Sequence, residues 1–261
     1  FTSNAEAGGG FGEIPGIWIG KFEATGEYTE GDASKVSVKP EVQSLRNMTV
    51  NQQYKAGLNA TYGENVNLNS HMAKNSEWGA TVYLAHSKYG TNKKKVEQNK
   101  SSSYYTGGTN IVEQIYTTNK TQSTTHNATG VYDLNGCSWE RTASYVYATN
   151  LEIGEVAGIN SNDLYGATEE ERKSSTKFKT VYQSNYTISK KNKGDSIFET
   201  SGNLSQITTS WFDSYANFPN IAYPFFARSS TYHDSKSSIF CFHDLLGKDV
   251  DHVSFRLILV I

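Results

Sequence analysis

The C-terminal segment 217–261 constrains the fold more than any other part of the chain, because it mixes two kinds of position. Aromatic and arginine residues recur at short intervals, and the residues between them follow no hydrophobic period. A surface tolerates arbitrary side chains only where none of them is needed for the core. We therefore predict that the recurring residues form a buried framework and that the others face the solvent. The predicted framework residues are Phe226, Arg228, Tyr232, Phe240, Phe242, Phe255 and Arg256.

The same segment contains no Glu, Gln, Met or Trp, although all four occur upstream. A codon that ends in a pyrimidine and is randomised at its first two bases cannot encode these residues, and nearly every residue from 227 to 253 belongs to the set that it can encode. The pattern indicates a diversified ligand-binding surface; the plainer alternative is an irregular loop of chance composition. The predicted binding residues are Ala227, Thr231, His233, Asp234, Ser235, Cys241, His243, Asp244, Leu245, Leu246, Asp249, Val250, Asp251, His252 and Val253.

Three acid–imidazole pairs lie in this segment, at 233–234, 243–244 and 251–252. Imidazole and carboxylate are competent Zn²⁺ ligands, but these spacings match no known metal motif. Asp133 and Asn135 could offer oxygen atoms to Ca²⁺, yet the surrounding Tyr-Asp-Leu-Asn-Gly sequence is typical of side chains that satisfy turn backbone groups. We therefore predict no metal site and no cofactor.

Composition limits the domain organisation and the classes of partner. Hydrophobic residues make up 36% of the chain, which is enough for a core, and no linker divides it. We predict a flexible leader at residues 1–15 and a single domain at 16–261, with a variable region at 224–261. A net charge of -2 leaves no basic excess for phosphates, which argues against nucleic acid. No apolar stretch has the length of a membrane span, so we expect no membrane contact by this part of the chain.

Capping signals and periodicity predict two helices. Thr49 and Gln52 form a capping box that starts the first helix, and Asn75 is the expected N-cap of a second helix that ends near Gly90. The polar stretches between these segments are predicted to be loops, including the charged, exposed run 169–173. The predicted extended segments are a strand at 17–25, a hairpin around 111–116, a buried strand or turn at 139–146 and a central strand at 254–260.

Four segments, in order along the chain, resemble the formylglycine-generating enzyme and sulfatase-modifying-factor family. Gly130–Val146 (GVYDLNGCSWERTASYV) is similar to that family's Gly-Leu-Tyr-Asp-Met-x-Gly-Asn-x-Trp-Glu motif. Ile17–Thr25 resembles its opening strand, Asn75–Leu84 its Glu-Trp helix and Ser254–Val260 its closing strand. The resemblance implies an α+β fold of the C-type lectin type, with two helices, small antiparallel sheets and long loop insertions.

The departures from that family's pattern imply that its enzyme chemistry is lost. Family enzymes use a Cys pair close to the C-terminus, whereas Cys241 stands alone there and Cys137 falls where the motif usually has Asn. Arg141 replaces a usual aromatic residue after Trp139-Glu140. We therefore predict no catalytic residues. An enzyme that modifies sulfatase-like substrates through Cys137 or Cys241 is the alternative.

The region 224–261 resembles the C-terminal repeat of the variable proteins of diversity-generating retroelements, which share the lectin fold. The whole chain is similar to pilin-fused variable proteins of gut bacteria and phages, which are anchored by an N-terminal hydrophobic helix. Because the chain begins at Phe1 without such a helix, we expect a processed or trimmed product. The likeness implies a receptor- or adhesin-like protein, at the cell surface or outside the cell, or alternatively on a phage virion.

The expected partner is an unknown macromolecule, a protein or a surface glycan, on another cell, phage or host. A structural subunit of a pilus or phage tail, whose terminal segment packs against its neighbours, is a further alternative.

Overall fold

The computed structural model describes residues 16–61, 69–108, 115–147, 163–183, 194–201, 208–209 and 211–260. Within these ranges the protein is a mixed α+β fold with few helices and small sheets. The predicted leader at 1–15 and most of the predicted hairpin at 111–116 lie outside the described residues. The described elements, in chain order, are β1 (Ile17–Ile19), β2 (Thr25–Gly26), β3 (Val36–Ser37), α1 (Val50–Asn59), β4 (His71–Met72), α2 (Asn75–His86), β5 (Trp139–Tyr147), α3 (Glu169–Lys173), β6 (Thr180–Gln183), α4 (Phe198–Ser201), β7 (Phe225–Arg228), β8 (Phe242–Leu245), β9 (Val253–Phe255) and β10 (Leu257–Val260).

The first predicted helix is confirmed as α1, and its capping box is present. The Thr49 hydroxyl accepts a hydrogen bond from the Gln52 N–H at 3.2 Å, and the Gln52 side chain accepts one from the Thr49 N–H at 2.9 Å. Two N–H groups that the first helical turn leaves without a partner are thereby satisfied.

The second predicted helix is confirmed as α2, but Asn75 is not its N-cap. Lys74 holds that position, and Glu77 accepts a hydrogen bond from the Lys74 N–H at 2.8 Å. The Asn75 side chain instead lies in the core, where it donates to the Tyr182 hydroxyl and accepts from the Thr142 hydroxyl. Because the Asn75 side-chain amide bonds to these buried partners, it does not cap the backbone of the helix. The residue type that predicted an N-cap therefore makes a core contact instead.

Two other predictions of local structure are corrected. α2 ends at His86 and not near Gly90, because Ser87 is extended and its N–H already bonds to the last turn. The charged run Glu169–Lys173, expected as part of a loop, forms the short helix α3 behind a capping box at Thr168.

A three-stranded antiparallel sheet, with the order β1-β10-β4, uses the terminal apolar run as its central strand, as predicted. Ile258 pairs with both Ile19 and His71. The run 254–260 is interrupted at Arg256, so β9 joins a different sheet from β10. The opening strand is shorter than predicted: β1 ends at Ile19 because residues 21–23 form a bend.

The larger sheet has the strand order β6-β5-β7-β8, and β9 also pairs with β5. β7 runs antiparallel to both β5 and β8, whereas β6 and β9 run parallel to β5. The expectation of antiparallel sheets is therefore wrong for this one. Every residue of β5 is buried, which is the environment in which parallel pairing is found.

The predicted framework residues lie in the interior, with one exception that is half-buried, Tyr232. The framework residues that are fully buried are Phe226, Arg228, Phe240, Phe242, Phe255 and Arg256.

None of the helices among the described residues has the length and apolar character that a membrane span requires.

Candidate ligand-binding surface

Most of the predicted binding residues reach the surface, in two loops and one edge strand. The first loop is 231–235, the edge strand is β8, and the second loop, 246–252, connects β8 to β9. The predicted residues with exposed or half-buried side chains are His233, Asp234, Ser235, His243, Leu245, Leu246, Asp249, Val250, Asp251 and His252.

The other predicted binding residues are buried, and the expectation that they face the solvent is wrong. Ala227, Cys241 and Val253 are 0% exposed and pack with Trp139 in one hydrophobic cluster. β7 and β9 both pair with the start of β5, which brings Ala227 and Val253 together beneath the surface, and Cys241 directly precedes β8, the other neighbour of β7. The buried predicted residues are Ala227, Thr231, Cys241, Asp244 and Val253.

Thr231 is buried because it closes the 231–235 loop. Asp234 accepts hydrogen bonds from the Thr231 N–H at 2.6 Å and from its hydroxyl at 2.9 Å. The side-chain amide of Gln98 donates to the carbonyls of Thr231 and Asp234 at 2.8 and 3.0 Å. His233 and Ser235 stay exposed between these contacts.

Asp244 is buried because its carboxylate holds a neighbouring segment against β8. It accepts hydrogen bonds from the side-chain amides of Asn217 at 2.5 Å and Asn220 at 3.3 Å. His243 Nδ1 lies 2.9 Å from the same carboxylate. Asp244 therefore fixes the 217–220 segment, and its side chain has a structural role that the sequence pattern did not predict.

An open cleft of about 520 Å³ separates the 246–252 loop from the 217–223 segment. The predicted binding residues form much of its lining, together with four residues outside the prediction. Arg141 departs from the motif that the chain otherwise resembles, and Lys248 lies outside the restricted codon set, so two of those four carried a signal in the sequence. The lining residues are Arg141, Asn217, Tyr223, His243, Asp244, Leu245, Leu246, Lys248 and Val250.

An aromatic group supports the cleft from below. The His243 ring stacks on Tyr215 with the ring centroids 5.2 Å apart, and it meets the edge of Trp139 at 5.3 Å. Tyr215 and Tyr223 are both exposed, so aromatic surface borders the predicted binding residues. Aromatic side chains supply large contact area at small entropic cost.

The 246–252 loop is held mainly through its backbone carbonyls, and the Val250 side chain also packs against the hydrophobic cluster around Trp139. The donors come from β5, from α1 and from the residues just before α1, all of which lie far away in the chain. Only the carbonyl of Asp249 has no donor of this kind among the contacts of the described residues. The contacts are Arg141 with Leu246 and Lys248 (2.9 and 2.5 Å), Val50 with Gly247 (2.8 Å), Asn47 with Val250 (3.2 Å), Arg46 with Asp251, and Trp139 with His252 (3.1 Å).

Arg141 is the central donor to this loop. Its side chain is 1% exposed, and its other guanidinium nitrogen donates to the Met48 carbonyl at 3.0 Å and to Gln53 Oε1 at 3.3 Å. Burial lowers the pKa of Arg141 to about 9, while the charge of Asp249 acts in the opposite direction. The guanidinium therefore still carries its positive charge at pH 7.

The acid–imidazole pairs do not converge on one point. His252 bonds to Asp251 at 2.8 Å and His243 to Asp244, while His233 contacts Thr231 at 3.2 Å. Among the described residues, no group of three or more His, Cys, Asp and Glu side chains is arranged to hold a metal ion.

Asp133 and Asn135 bond to backbone groups, as predicted, but to groups of distant segments and not of their own turn. Asp133 accepts from the Gly107 N–H at 2.8 Å, and Asn135 donates to the Val96 carbonyl at 2.7 Å. Asp133 also has a positive φ of 63°, a conformation that Asp adopts more readily than most residues.

The two cysteines are free thiols, and both are fully buried. Burial raises the pKa of Cys137 well above its usual value and also raises the pKa of Cys241. A thiol acts as a nucleophile through its thiolate, so both environments disfavour the reactive form.

The chain matches no protein-family model and no curated protein.

Proposed function

We propose that the protein is a non-catalytic ligand-binding protein, of the receptor or adhesin kind, which displays a retroelement-diversified surface on a C-type lectin scaffold. The observation that carries this proposal is the backbone-held 246–252 loop. Its shape depends mainly on carbonyl groups, which every residue type possesses, so most of its side chains are available for recognition. Leu246, Val250 and the neighbouring Leu245 would supply desolvated contact, and the His and Asp residues would orient the ligand.

The division between framework and surface supports the same proposal. The aromatic and arginine residues of the C-terminal segment are buried, while Asp249 and Asp251 are exposed and His252 is half-buried. A protein that binds different ligands through one scaffold needs this separation, because changes at the surface must leave the core intact.

The cysteines favour a binding role over thiol chemistry. Cys137 and Cys241 are buried, and their raised pKa values oppose ionisation at neutral pH. The proposed partner is a macromolecule on another cell, phage or host, and the proposed location is the cell surface or the extracellular space, with a phage virion as the alternative.

A pair of libraries tests the proposal. The first randomises Leu246, Asp249, Val250, Asp251 and His252, and the second randomises the buried positions Ala227, Cys241 and Val253. We expect most members of the first library to fold with a Tm close to that of the parent, because their carbonyl contacts persist. Most members of the second should be insoluble or lose several degrees, because volume changes in a packed core cost about 1–3 kcal/mol each.

Equal losses of folding and Tm in the two libraries would contradict the proposed binding surface.

The proposed retroelement origin is tested separately, by sequencing the DNA that flanks the gene. We expect a near-identical repeat with Asn codons at the diversified positions, next to a reverse-transcriptase gene.

A further inference from the structure

We infer that the cleft between the 246–252 loop and the 217–223 segment accepts an apolar side chain that lies next to a carboxylate, as an acidic peptide segment of a protein partner presents them. This inference rests on the proposed binding function and names the chemistry of its ligand. It follows from three properties of the cleft: its apolar walls, its two cationic side chains and the prior engagement of its other polar groups.

The apolar part of the cleft comes from both sides. Leu245, Leu246 and Val250 are half-buried and line it from β8 and the 246–252 loop. Tyr223 lines it from the opposite side and is 46% exposed. A concave site of about 520 Å³ with such walls is large enough for one or two side chains, and filling it removes apolar surface from water.

The charged part of the cleft is positive. Arg141 and Lys248 line it, and neither takes part in any ion pair between described residues. The partners of the Arg141 guanidinium are carbonyl oxygens and the Gln53 side-chain oxygen, which are neutral. A cation in a partly enclosed site attracts an anion more strongly than one in open water.

The one carboxylate that lines the cleft is already engaged. Asp244 lies against His243 and accepts hydrogen bonds from Asn217 and Asn220. Its lone pairs are therefore largely occupied, and the same is true of the Arg141 N–H groups that reach the loop carbonyls. A sugar is bound by neighbouring donors and acceptors that are free to meet its hydroxyl groups. In this cleft the Asp244 carboxylate and the Arg141 N–H groups already bond to other groups of the protein.

Asp249 lies outside the cleft lining but opposes anion binding. It is exposed, and its negative charge partly opposes the lowering of the Arg141 pKa that burial causes. The inference therefore makes two predictions of opposite sign at adjacent residues. Removing the charge of Lys248 should weaken the binding of an anionic ligand, and removing the charge of Asp249 should strengthen it.

The experiment uses the whole 261-residue chain with ¹³C-labelled Leu and Val methyl groups. The probes are N-acetyl-leucine, N-acetyl-leucinamide, methyl α-glucoside and the methyl glycoside of N-acetylneuraminic acid. We expect N-acetyl-leucine to shift the methyl signals of Leu245, Leu246 and Val250 with a Kd on the order of 1 mM, as suits a ligand of its size. The neutral amide should bind about two- to fivefold more weakly, which is the effect of one partly exposed charge pair.

Variants test the charge term directly. We expect Lys248→Gln to raise the Kd for N-acetyl-leucine about two- to fivefold and Asp249→Asn to lower it by a similar factor, while neither changes the Kd for the amide. Lys94→Gln, which removes an exposed charge from the loop after α2, should leave both constants unchanged. Raising the salt concentration should reduce the difference between acid and amide.

Several results would overturn the inference: equal binding of acid and amide, tighter binding of either sugar, or no shift with any probe. The libraries described above are read out by folding alone. A failed probe experiment with a successful first library would therefore reject the ligand class and leave the proposed function standing.

Discussion

Arg141 is the residue on which the shape of the 246–252 loop depends most. An isolated charge in a protein interior is costly, and here the cost is offset by hydrogen bonds to three carbonyls and one side-chain oxygen. The planar guanidinium can reach Met48 on one side and Leu246 on the other at the same time. A lysine ammonium is a single point and cannot span both.

Replacing Arg141 with Met is expected to lower the free energy of unfolding by about 3 kcal/mol, because it leaves buried carbonyls without donors. Amide hydrogen exchange should rise specifically at Asn47, Val50 and Trp139, whose N–H groups donate to carbonyls of the 246–252 loop. Arg141→Lys should recover part of the stability but little of the protection of these N–H groups. Denaturant unfolding and hydrogen exchange measured by mass spectrometry provide the two readouts.

Arg172→Met is the matched control, because Arg172 also donates to two carbonyls but is only half-buried. It should cost about 1 kcal/mol or less and leave the 246–252 loop unaffected. If Arg141→Met left exchange at the Asn47, Val50 and Trp139 N–H groups unchanged, the proposed positioning role of Arg141 would be wrong.

At the scale of elements, the start of α1 and the 246–252 loop form one unit. The Val50 N–H, in the first turn of α1, donates to the Gly247 carbonyl at 2.8 Å, and Asn47, just before the helix, donates to Val250 at 3.2 Å. The free N–H groups of a helix start therefore serve the loop directly. The capping box at Thr49 keeps those groups in place.

Thr49→Ala is expected to cost about 1 kcal/mol, the usual effect of losing an N-cap side chain. It should also increase hydrogen exchange of the Val50 and Asn47 N–H groups, which donate to the Gly247 and Val250 carbonyls. Thr168→Ala removes the same kind of capping box from α3, a short helix with no buried residues, and should cost only a few tenths of a kcal/mol. Chemical denaturation of both variants makes the comparison, and equal losses would show that α1 and the loop are not coupled.

At the scale of the whole molecule, Arg256 joins the two sheets. It lies between β9 of the larger sheet and β10 of the smaller one, and it forms a fully buried ion pair with Glu140 of β5 at 2.5 Å. Glu23 and Asp133 are buried nearby, and one oxygen of each has no hydrogen-bond partner within the described structure. Three carboxyl groups thus share one guanidinium.

This imbalance predicts a pH dependence of stability. Burial, followed by repulsion from Glu140 and Asp133, raises the pKa of Glu23 well above its usual value, and burial raises that of Glu140 to about 7. A raised pKa in the folded state means that the stabilising contribution is complete below the unfolded pKa of about 4.5 and is lost as the pH rises. The cluster should therefore destabilise the fold progressively between about pH 4.5 and 7.

The measurement is the urea midpoint of the parent and of Glu23→Gln from pH 4.5 to 7.5. We expect the variant to gain stability relative to the parent as the pH rises, since Gln cannot ionise. The difference between the two curves removes the contributions of His86, whose pKa is lowered by burial, and of Asp195, whose pKa burial raises to about 7. Glu27→Gln, at an exposed ion pair with Lys35, should show no such trend, and a flat difference for Glu23→Gln would contradict the prediction.

The sequence by itself determined those features whose causes are local. The Thr49 capping box predicted the start of α1, because its two hydrogen bonds join residues three apart. The apolar run before Ile261 predicted a central strand, because a continuous apolar segment must be covered on both faces. The aromatic and arginine residues that recur at short intervals in the C-terminal segment predicted most of the buried framework.

Only the tertiary structure decided which of the predicted binding residues are exposed and what holds them. Ala227 and Val253 became core residues because β7 and β9 pair with the start of β5, next to Trp139, and strand neighbours so distant in the chain leave no periodic signal. Arg141 became the support of the 246–252 loop because its acceptors lie about a hundred residues away in both directions. Burial and hydrogen bonding depend on neighbours in space, which a sequence pattern records only when they are also neighbours in the chain.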